Sequence, residues 1–430
     1  MNRRNFLFSM AAATCTMPAG RATCGTEKPA EAAAKRVPPR NRHPYANVDW
    51  NKALQINGTT HVHCTSQKQL DIILKRGIEF LTLSNYYPSA PWWPLAKMTR
   101  NYFRLHHDFP VMVNGRLQNG PFDWNKIVGG WIKDLPEEMQ AEYPFKEGEK
   151  LFKPLPANVL EAPNAEHHHF THPDGRYAAC LHMNAPGSAF ASGTFDIATN
   201  ARFRTREHGY SNGCSETWQA AIDHMIDGLI HPDGGGVTVN HPNWSALRRD
   251  FILDILDYDP RVLGMEVVEG GAASREFYWD WVLATGRQCF GFFVPDHEIS
   301  RKDGNFGVNV LVVPERSVRA CLVAYRQGNF YGALRGLGEL RFKRIAFSGG
   351  DTVEAETDRP ARLEVVTARG VVKCVEKGAS IKWKMEKPNE CGGSRRHANA
   401  FIRVKAHALD GSGEVLFSQP YMLEDPPCLA

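Results

Sequence analysis

Imidazole and carboxylate side chains recur along this chain at spacings that could hold a metal ion. The tightest group is His61-Val62-His63. In a strand alternate side chains project to one face, so His61 and His63 would set their imidazoles side by side. Asn240-His241-Pro242 and Pro295-Asp296-His297-Glu298 each close an apolar run. Ala165-Glu166-His167-His168-His169 and Leu181-His182 supply a further carboxylate and more rings. Paired imidazoles with an acidic group suit Zn, Mn or Fe. His241 alone could equally be a satisfied core histidine, whereas Asp296 with His297 suits a bridging or terminal ligand pair. His167, His168 and His169 cannot all reach one site, and His172 and His231, in Pro-Asp-Gly turns, read as solvated. No Ser-His-Asp pattern, phosphate-binding loop or dinucleotide fingerprint competes with a metal site.

Alternating strands and helices must bring these groups together. Leu70, Ile73 and Leu74 share a helical face, with Ser66 and Gln69 as a capping box and Gly77 as the stop. Residues 77–83 then read as a buried strand. Trp218, Ala221, Ile222, Met225, Ile226 and Leu229 trace a second helical stripe, followed by a strand at 237–239. Strands at 263–268 and 289–294 flank a helix over 274–285, and Val318, Cys321, Leu322 and Tyr325 mark a last helix ended by Gly328. This alternation predicts an α/β fold with a largely parallel sheet, open or closed into a barrel. In a barrel catalytic groups collect at the C-terminal strand ends, where the His and Asp residues lie here. From residue 338 to 430 short runs separated by Gly, Asp and Pro turns predict a small antiparallel β-sandwich domain. Within the main domain, 51–337, an insertion at about 87–153 carries Trp92, Trp93, Trp124 and Trp131. It reads either as an excursion over the active-site face or as a satellite packed on its own aromatics. Residues 199–214, with Arg202, Arg204, Arg206 and His208, either steer an anion or form an exposed basic loop.

Length and charge narrow the partners. With 430 residues, a formal net charge of +4 and 23% charged residues, the chain offers no extended basic surface for nucleic acid, and a small-molecule substrate is expected. No stretch approaches the ~20 apolar residues of a membrane span. Arg3-Arg4 ahead of a short apolar run predicts a twin-arginine-type signal over 1–26, hence the twin-arginine export machinery as partner and a periplasmic or secreted location. Residues 27–50, rich in Ala, Pro, Lys and Arg, read as a tether. The cysteines are scattered without a C-x-x-C, which argues against a Cys-type zinc site; Cys374 and Cys391 are the nearest pair in the tail domain.

The order H-x-H, E followed by H, N-H-P, then D with H resembles the PHP (polymerase and histidinol phosphatase) superfamily of metallohydrolases over roughly residues 55–335. The segment from Tyr278 through Gly286-Arg287 to Asp296 is similar to that family's last crossover, and Leu322 to Ala333 to the end of its catalytic domain. The resemblance implies a distorted (β/α)7 PHP-like barrel holding two or three divalent ions, and a phosphoesterase using metal-activated water. It assigns His61, His63, Glu166, His182, His241, Asp296 and His297 as metal ligands, Glu166 bridging, with His168 a further candidate. Asn85, Tyr86, Asn240 and Arg204 are candidates for contact with substrate. Two departures stand out. Asp296 and His297 are adjacent where the family has D-x-H, which leaves open whether His297 or Glu298 reaches metal. Ser84-Asn85-Tyr86 stands where T-D-H is common, which implies fewer ions or a different ligand. The tail, ending Leu416-Phe417-Ser418-Gln419-Pro420, resembles that of secreted members similar to carbaryl hydrolase. Hydrolysis of carboxyl or carbamate esters or amides is therefore the alternative, and metal-dependent binding without turnover the third reading.

Overall fold

The computed structural model describes residues 39–64, 66–84, 94–97, 112–113, 116–117, 150–167, 181–190, 218–268, 276–301, 305–334, 340–367, 370–385 and 400–423. In chain order the first elements are β1 (Leu54–Thr59), α1 (Gln67–Lys75), β2 (Phe80–Leu81), β3 (Met112–Val113), β4 (Arg116–Leu117), β5 (Leu160–Glu161), β6 (Glu166–His167) and β7 (Met183–Asn184). Next come α2 (Trp218–Asp227), β8 (Val237–Val239), α3 (Arg249–Tyr258), β9 (Val262–Val268), α4 (Glu276–Leu283), β10 (Phe290–Phe293), β11 (Gly307–Val313), α5 (Val318–Gln327) and β12 (Phe330–Leu334). The last strands are β13 (Phe342–Ser348), β14 (Thr352–Thr367), β15 (Val371–Lys384), β16 (Phe401–Ala408), β17 (Val415–Phe417) and β18 (Tyr421–Met422).

The helices begin and end where their side chains dictate. Ser66 caps α1 by accepting the Gln69 N–H, and Ser317 caps α5 by accepting that of Ala320. Gly328 ends α5 in the left-handed region at φ 72°, and a Cβ there would meet the Phe290 ring at 2.4 Å. The helices pack against strands whose burial is nearly complete: every residue of β9, β10 and β11 is buried.

The sheet architecture differs from the expected (β/α)7 barrel. The strands form an 11-stranded sheet, ordered β13-β14-β16-β17-β12-β11-β1-β2-β5 with β15 on β14 and β18 on β16, and a 5-stranded sheet ordered β10-β9-β8-β7-β6. Neither is closed on itself. Among the described strands parallel ladders run through β1-β2-β5 and β8-β9-β10, while β11 runs antiparallel to β1 and β7 antiparallel to both β6 and β8. The physical reason lies in the short elements β2, β5, β6 and β7. Beside them buried asparagine side chains cap backbone carbonyls: Asn164 donates to the carbonyls of Thr60 (2.8 Å) and Thr82 (3.0 Å), and Asn184 to that of Thr60 (2.7 Å). Carbonyls satisfied by side chains need no neighbouring strand. At the site end an isolated parallel bridge, Val62 to Asp296, links the two sheets.

The C-terminal strands are antiparallel and continue the larger sheet, β17 pairing with β12. Two further ties bind them to the elements that carry the site. Arg403, 1% exposed, donates to Glu276 and Asp280 of α4 at 2.8–3.0 Å and lies over the Trp279 ring. Gln419 makes a two-way amide clasp with Gly291 of β10, at 2.8 and 2.9 Å. Cys374 is a free thiol, and Cys391 lies outside the described residues. Among the described residues no helix is long and apolar enough to cross a membrane.

Residues 39–50, the end of the expected tether, are packed onto this body. Tyr45 is 4% exposed; its hydroxyl donates to the Phe330 carbonyl (2.7 Å) and accepts the Gln419 N–H (2.8 Å). Arg40 donates to the carbonyls of Leu256 and Val262. A protein lacking residues 1–38 keeps all these contacts and is expected to unfold at the full-length denaturant midpoint. One lacking 1–46 is expected to lose about 3–5 kcal/mol, the usual cost of removing a buried aromatic. Urea titration followed by far-UV circular dichroism reads the difference, and coincident curves for the two truncations would contradict the anchoring role.

Candidate metal centre

His61-Val62-His63 leaves the end of β1 with alternating side chains. Val62 is buried in the bridge to Asp296, and the two imidazoles meet on the other face with their Nε2 atoms 3.3 Å apart. Asp296 follows β10. Its N–H donates to the His61 carbonyl (2.9 Å), and its backbone sits at φ 48°, a left-handed conformation rarely adopted by a non-glycine residue. That geometry puts Oδ1 at 3.2 Å from both His61 Nε2 and His63 Nε2. Glu166, on β6, supplies Oε2 at 3.3 and 3.1 Å from the same two nitrogens.

The other Glu166 oxygen faces a second group. Oε1 lies 2.7 Å from His182 Nδ1 and 3.1 Å from His241 Nε2. His182 immediately precedes β7, which pairs with β6, and His241 follows β8, which pairs with β7. His241 Nδ1 is 3.0 Å from the Ser245 hydroxyl, and the His61 and His241 ring centres are 5.6 Å apart. Asn240 donates to Glu166 Oε1 at 3.5 Å.

These separations fit a metal ion. Ligand atoms held ~2.0–2.1 Å from one tetrahedral ion stand about 3.3–3.4 Å from each other, and somewhat closer at higher coordination number. His61 Nε2, His63 Nε2, Glu166 Oε2 and Asp296 Oδ1 stand 3.1–3.3 Å apart in the measured pairs. Glu166 Oε2 and Asp296 Oδ1 are buried yet receive no well-aligned hydrogen bond. Buried carboxylate oxygens left that way are strongly destabilising unless a cation faces them. Overlapping groups drawn from His61, His63, Glu166, His182, His241, Asp296 and His297 bring their ligand atoms within 4.8 Å of one another.

Electrostatics follow the same geometry. Burial pulls the His61 imidazole down, but Asp296, Glu166 and Glu266 around it raise its pKa well above the ordinary value. His63 and His241 are likewise raised, against burial, by Asp296 and Glu166 for the first and by Glu166 and Glu266 for the second. His182 is lowered, burial outweighing Glu166. Burial pushes the Glu166 and Asp296 carboxyls up, yet the rings around them hold both well below the ordinary value.

Glu266 is the residue that sequence reasoning missed. It lies within β9, fully buried, and its Oε1 is 2.7 Å from His61 Nδ1 while Oε2 accepts the His241 N–H at 2.7 Å. A carboxylate on Nδ1 fixes the tautomer that leaves Nε2 as the ligand atom and makes it more basic. The signal was present: one acid inside the otherwise apolar run Val262-Leu263-Gly264-Met265-Glu266-Val267-Val268.

The remaining candidates divide. His297 lies at the rim, its side chain 57% exposed, stacked on His63 at 4.0 Å with Nε2 3.7 Å from Asp296 Oδ1. Glu298 pairs with Arg301 instead, at 3.4 Å. His167, next to Glu166 on β6, stacks flat on Phe190. His168, Asn85, Tyr86 and Arg204 lie outside the described residues.

Two outcomes follow for metal loading. Glu266→Gln leaves one acceptor oxygen for two donors and removes the charge behind His61, so affinity for Zn or Mn should fall about 10–100-fold in chelator competition. An unchanged affinity in a folded variant would remove Glu266 from the site. The raised pKa values of His61, His63 and His241 mean that the metal-free cluster holds protons above the ordinary imidazole value of about 6.5. An incoming ion must displace them, so affinity should rise with pH through and above that value, with proton release. Titration calorimetry in buffers of different ionisation enthalpy reads this directly, and a flat response would contradict it.

No family model matches the chain, and no curated protein matches it. Among solved structures, a two-domain protein from Bacteroides vulgatus ATCC 8482 containing a predicted PHP-like metal-dependent phosphoesterase is a distant likeness. It is 11% identical, with 90% of this chain and 99% of that chain covered at a TM-score of 0.38.

Proposed function

We propose that this chain is a metal-dependent hydrolase acting first on phosphoesters. The observation that carries the reading is the shared carboxylate: Glu166 turns Oε2 to His61 and His63 and Oε1 to His182 and His241. One acid so placed can serve two ions. His61, His63, Glu166 and Asp296 would hold one, Glu166, His182 and His241 the other, with His297 at the rim and His168 the candidate for a third position. Zn, Mn or Fe suits this nitrogen and oxygen set. Two such ions, when bound, supply an acidified water and positive charge against the oxygens of the reacting centre.

The chain's own residues do the positioning. Glu266 and Ser245 orient the rings of His61 and His241, and Asn240 steadies Glu166. The anionic Glu166 and Asp296 set how acidic any water between them can become. A phosphomonoester presents several anionic oxygens to paired cation positions, which makes phosphoesters the first substrate class. Ser84-Asn85-Tyr86, in place of the T-D-H of the resembling family, favours ester or carbamate hydrolysis as the second reading.

A panel of aryl phosphates, phosphodiesters, aryl esters and carbamates on metal-loaded protein tests the proposal. Phosphoester turnover abolished by chelation is expected. Turnover confined to esters or carbamates would replace the phosphoester reading with the second, and metal binding without any turnover would overturn both. Asp296→Asn and His63→Ala should each lose at least ~100-fold in kcat, since about 1.36 kcal/mol of transition-state stabilisation is worth tenfold. Folded variants that keep full rate would place the chemistry elsewhere.

Export is the companion proposal, supported by Arg3-Arg4 ahead of a short apolar run. Replacing both by Lys should leave the protein in the cytoplasm with its metal content intact. Fractionation showing unchanged export would discard the twin-arginine route.

A further inference from the structure

Among the described residues Trp244 is the most exposed large hydrophobic side chain, at 68%. Its place is not an arbitrary patch of surface. The indole lies 4.9 Å from the His241 ring, nearly perpendicular at 75°, and 5.7 Å from the His182 ring. Both neighbours are candidate ligands, so the open surface of the indole borders the second ligand group.

The turn that carries Trp244 is tied down on both sides. The N–H groups of Ser245, Ala246 and Leu247 donate to the carbonyls of His241, Asn243 and Pro242 at 2.9–3.1 Å. The Ser245 hydroxyl meets His241 Nδ1, and Leu247 is 2% exposed, plugging the turn into the core. The indole is thus presented by a turn whose backbone is already ordered, so stacking a ring on it costs little further ordering. Packing among the described residues does not account for it, because they leave most of the indole uncovered.

We propose that Trp244 is a specificity-determining platform on which a planar aromatic group of the substrate stacks while the group to be hydrolysed faces the Glu166 carboxylate. The proposal rests on the hydrolase reading above and narrows its substrate class to aryl-bearing esters, phosphoesters first. A flat π surface prefers another flat ring and gains little from a short alkyl group. Tryptophan to phenylalanine keeps a smaller π face, whereas alanine removes it.

The test separates this proposal from the hydrolase reading. Metal-loaded full-length protein, Trp244→Phe and Trp244→Ala are compared with phenyl phosphate against ethyl phosphate for kcat and KM. Benzohydroxamate against acetohydroxamate, metal-chelating probes that need no turnover, are compared by calorimetry. Wild type should prefer the aryl member of each pair. Trp244→Ala should reduce that preference about tenfold or more, mainly through KM. Trp244→Phe should keep most of it, with metal stoichiometry unchanged throughout. Absence of an aryl preference in KM and hydroxamate binding in wild type, or one as large in Trp244→Ala as in wild type, overturns the platform. Aryl preference in hydroxamate binding with no phosphoester turnover would overturn the phosphoesterase reading and leave the platform standing.

Discussion

Glu166 is a carboxylate with no exposure to water, and the site is arranged around that fact. An ionised acid removed from solvent costs several kcal/mol unless charge or hydrogen bonds replace the water. Here imidazole nitrogens of four histidines lie 2.7–3.3 Å from its two oxygens. Asp296 and Glu266 bring two more acids to the same rings. Three carboxylates removed from water need positive charge beside them, which protonated imidazoles supply in the metal-free cluster and a bound cation would supply in their place. The demand for positive charge therefore arises from the burial itself.

That constraint shapes the backbone. The end of β1 has to present two imidazoles on one face, and a regular strand on each side would leave less room for the other ligands. Asn164 and Asn184 resolve this by capping the Thr60 carbonyl with side-chain amides. The pairing of the sheet can then lapse where the clustered side chains enter. His241 and Asp296 both carry positive φ, at 21° and 48°. Such conformations cost about 1–3 kcal/mol each and persist where the surroundings over-determine them. At Asp296 the His61 carbonyl does so, and at His241 the Glu266 carboxylate.

The residues that the structure clusters, His61, His63, Glu166, His182, His241 and Asp296, were legible in the sequence because titratable residues closing apolar runs are chemically out of place. The helix α1 was legible for a local reason, its Ser66 cap and Gly77 stop, and the structure starts it at Gln67. The closure of the sheet was not legible. Whether β11 lies parallel or antiparallel to β1 depends on where the chain returns from, and nothing within Gly307–Val313 encodes that. The anchoring of Tyr45 was hidden for a similar reason, since its partners, Phe330 and Gln419, are distant in sequence. Glu266 was readable in principle, but an acid inside a strand announces burial and not which ring it will meet.

The amide clasp between Gln419 and Gly291 joins the end of the chain to the strand that presents Asp296. Gly291 cannot readily acquire a side chain, because a Cβ would meet the Trp279 indole at 2.7 Å. A residue with both an amide donor and an acceptor, of glutamine's reach, serves the buried N–H and carbonyl of that glycine. The two positions therefore depend on one another. A lineage that exchanged its C-terminal strands for those of another protein would inherit a frayed β10, and the loss would register at Asp296 before it registered anywhere on the exchanged part.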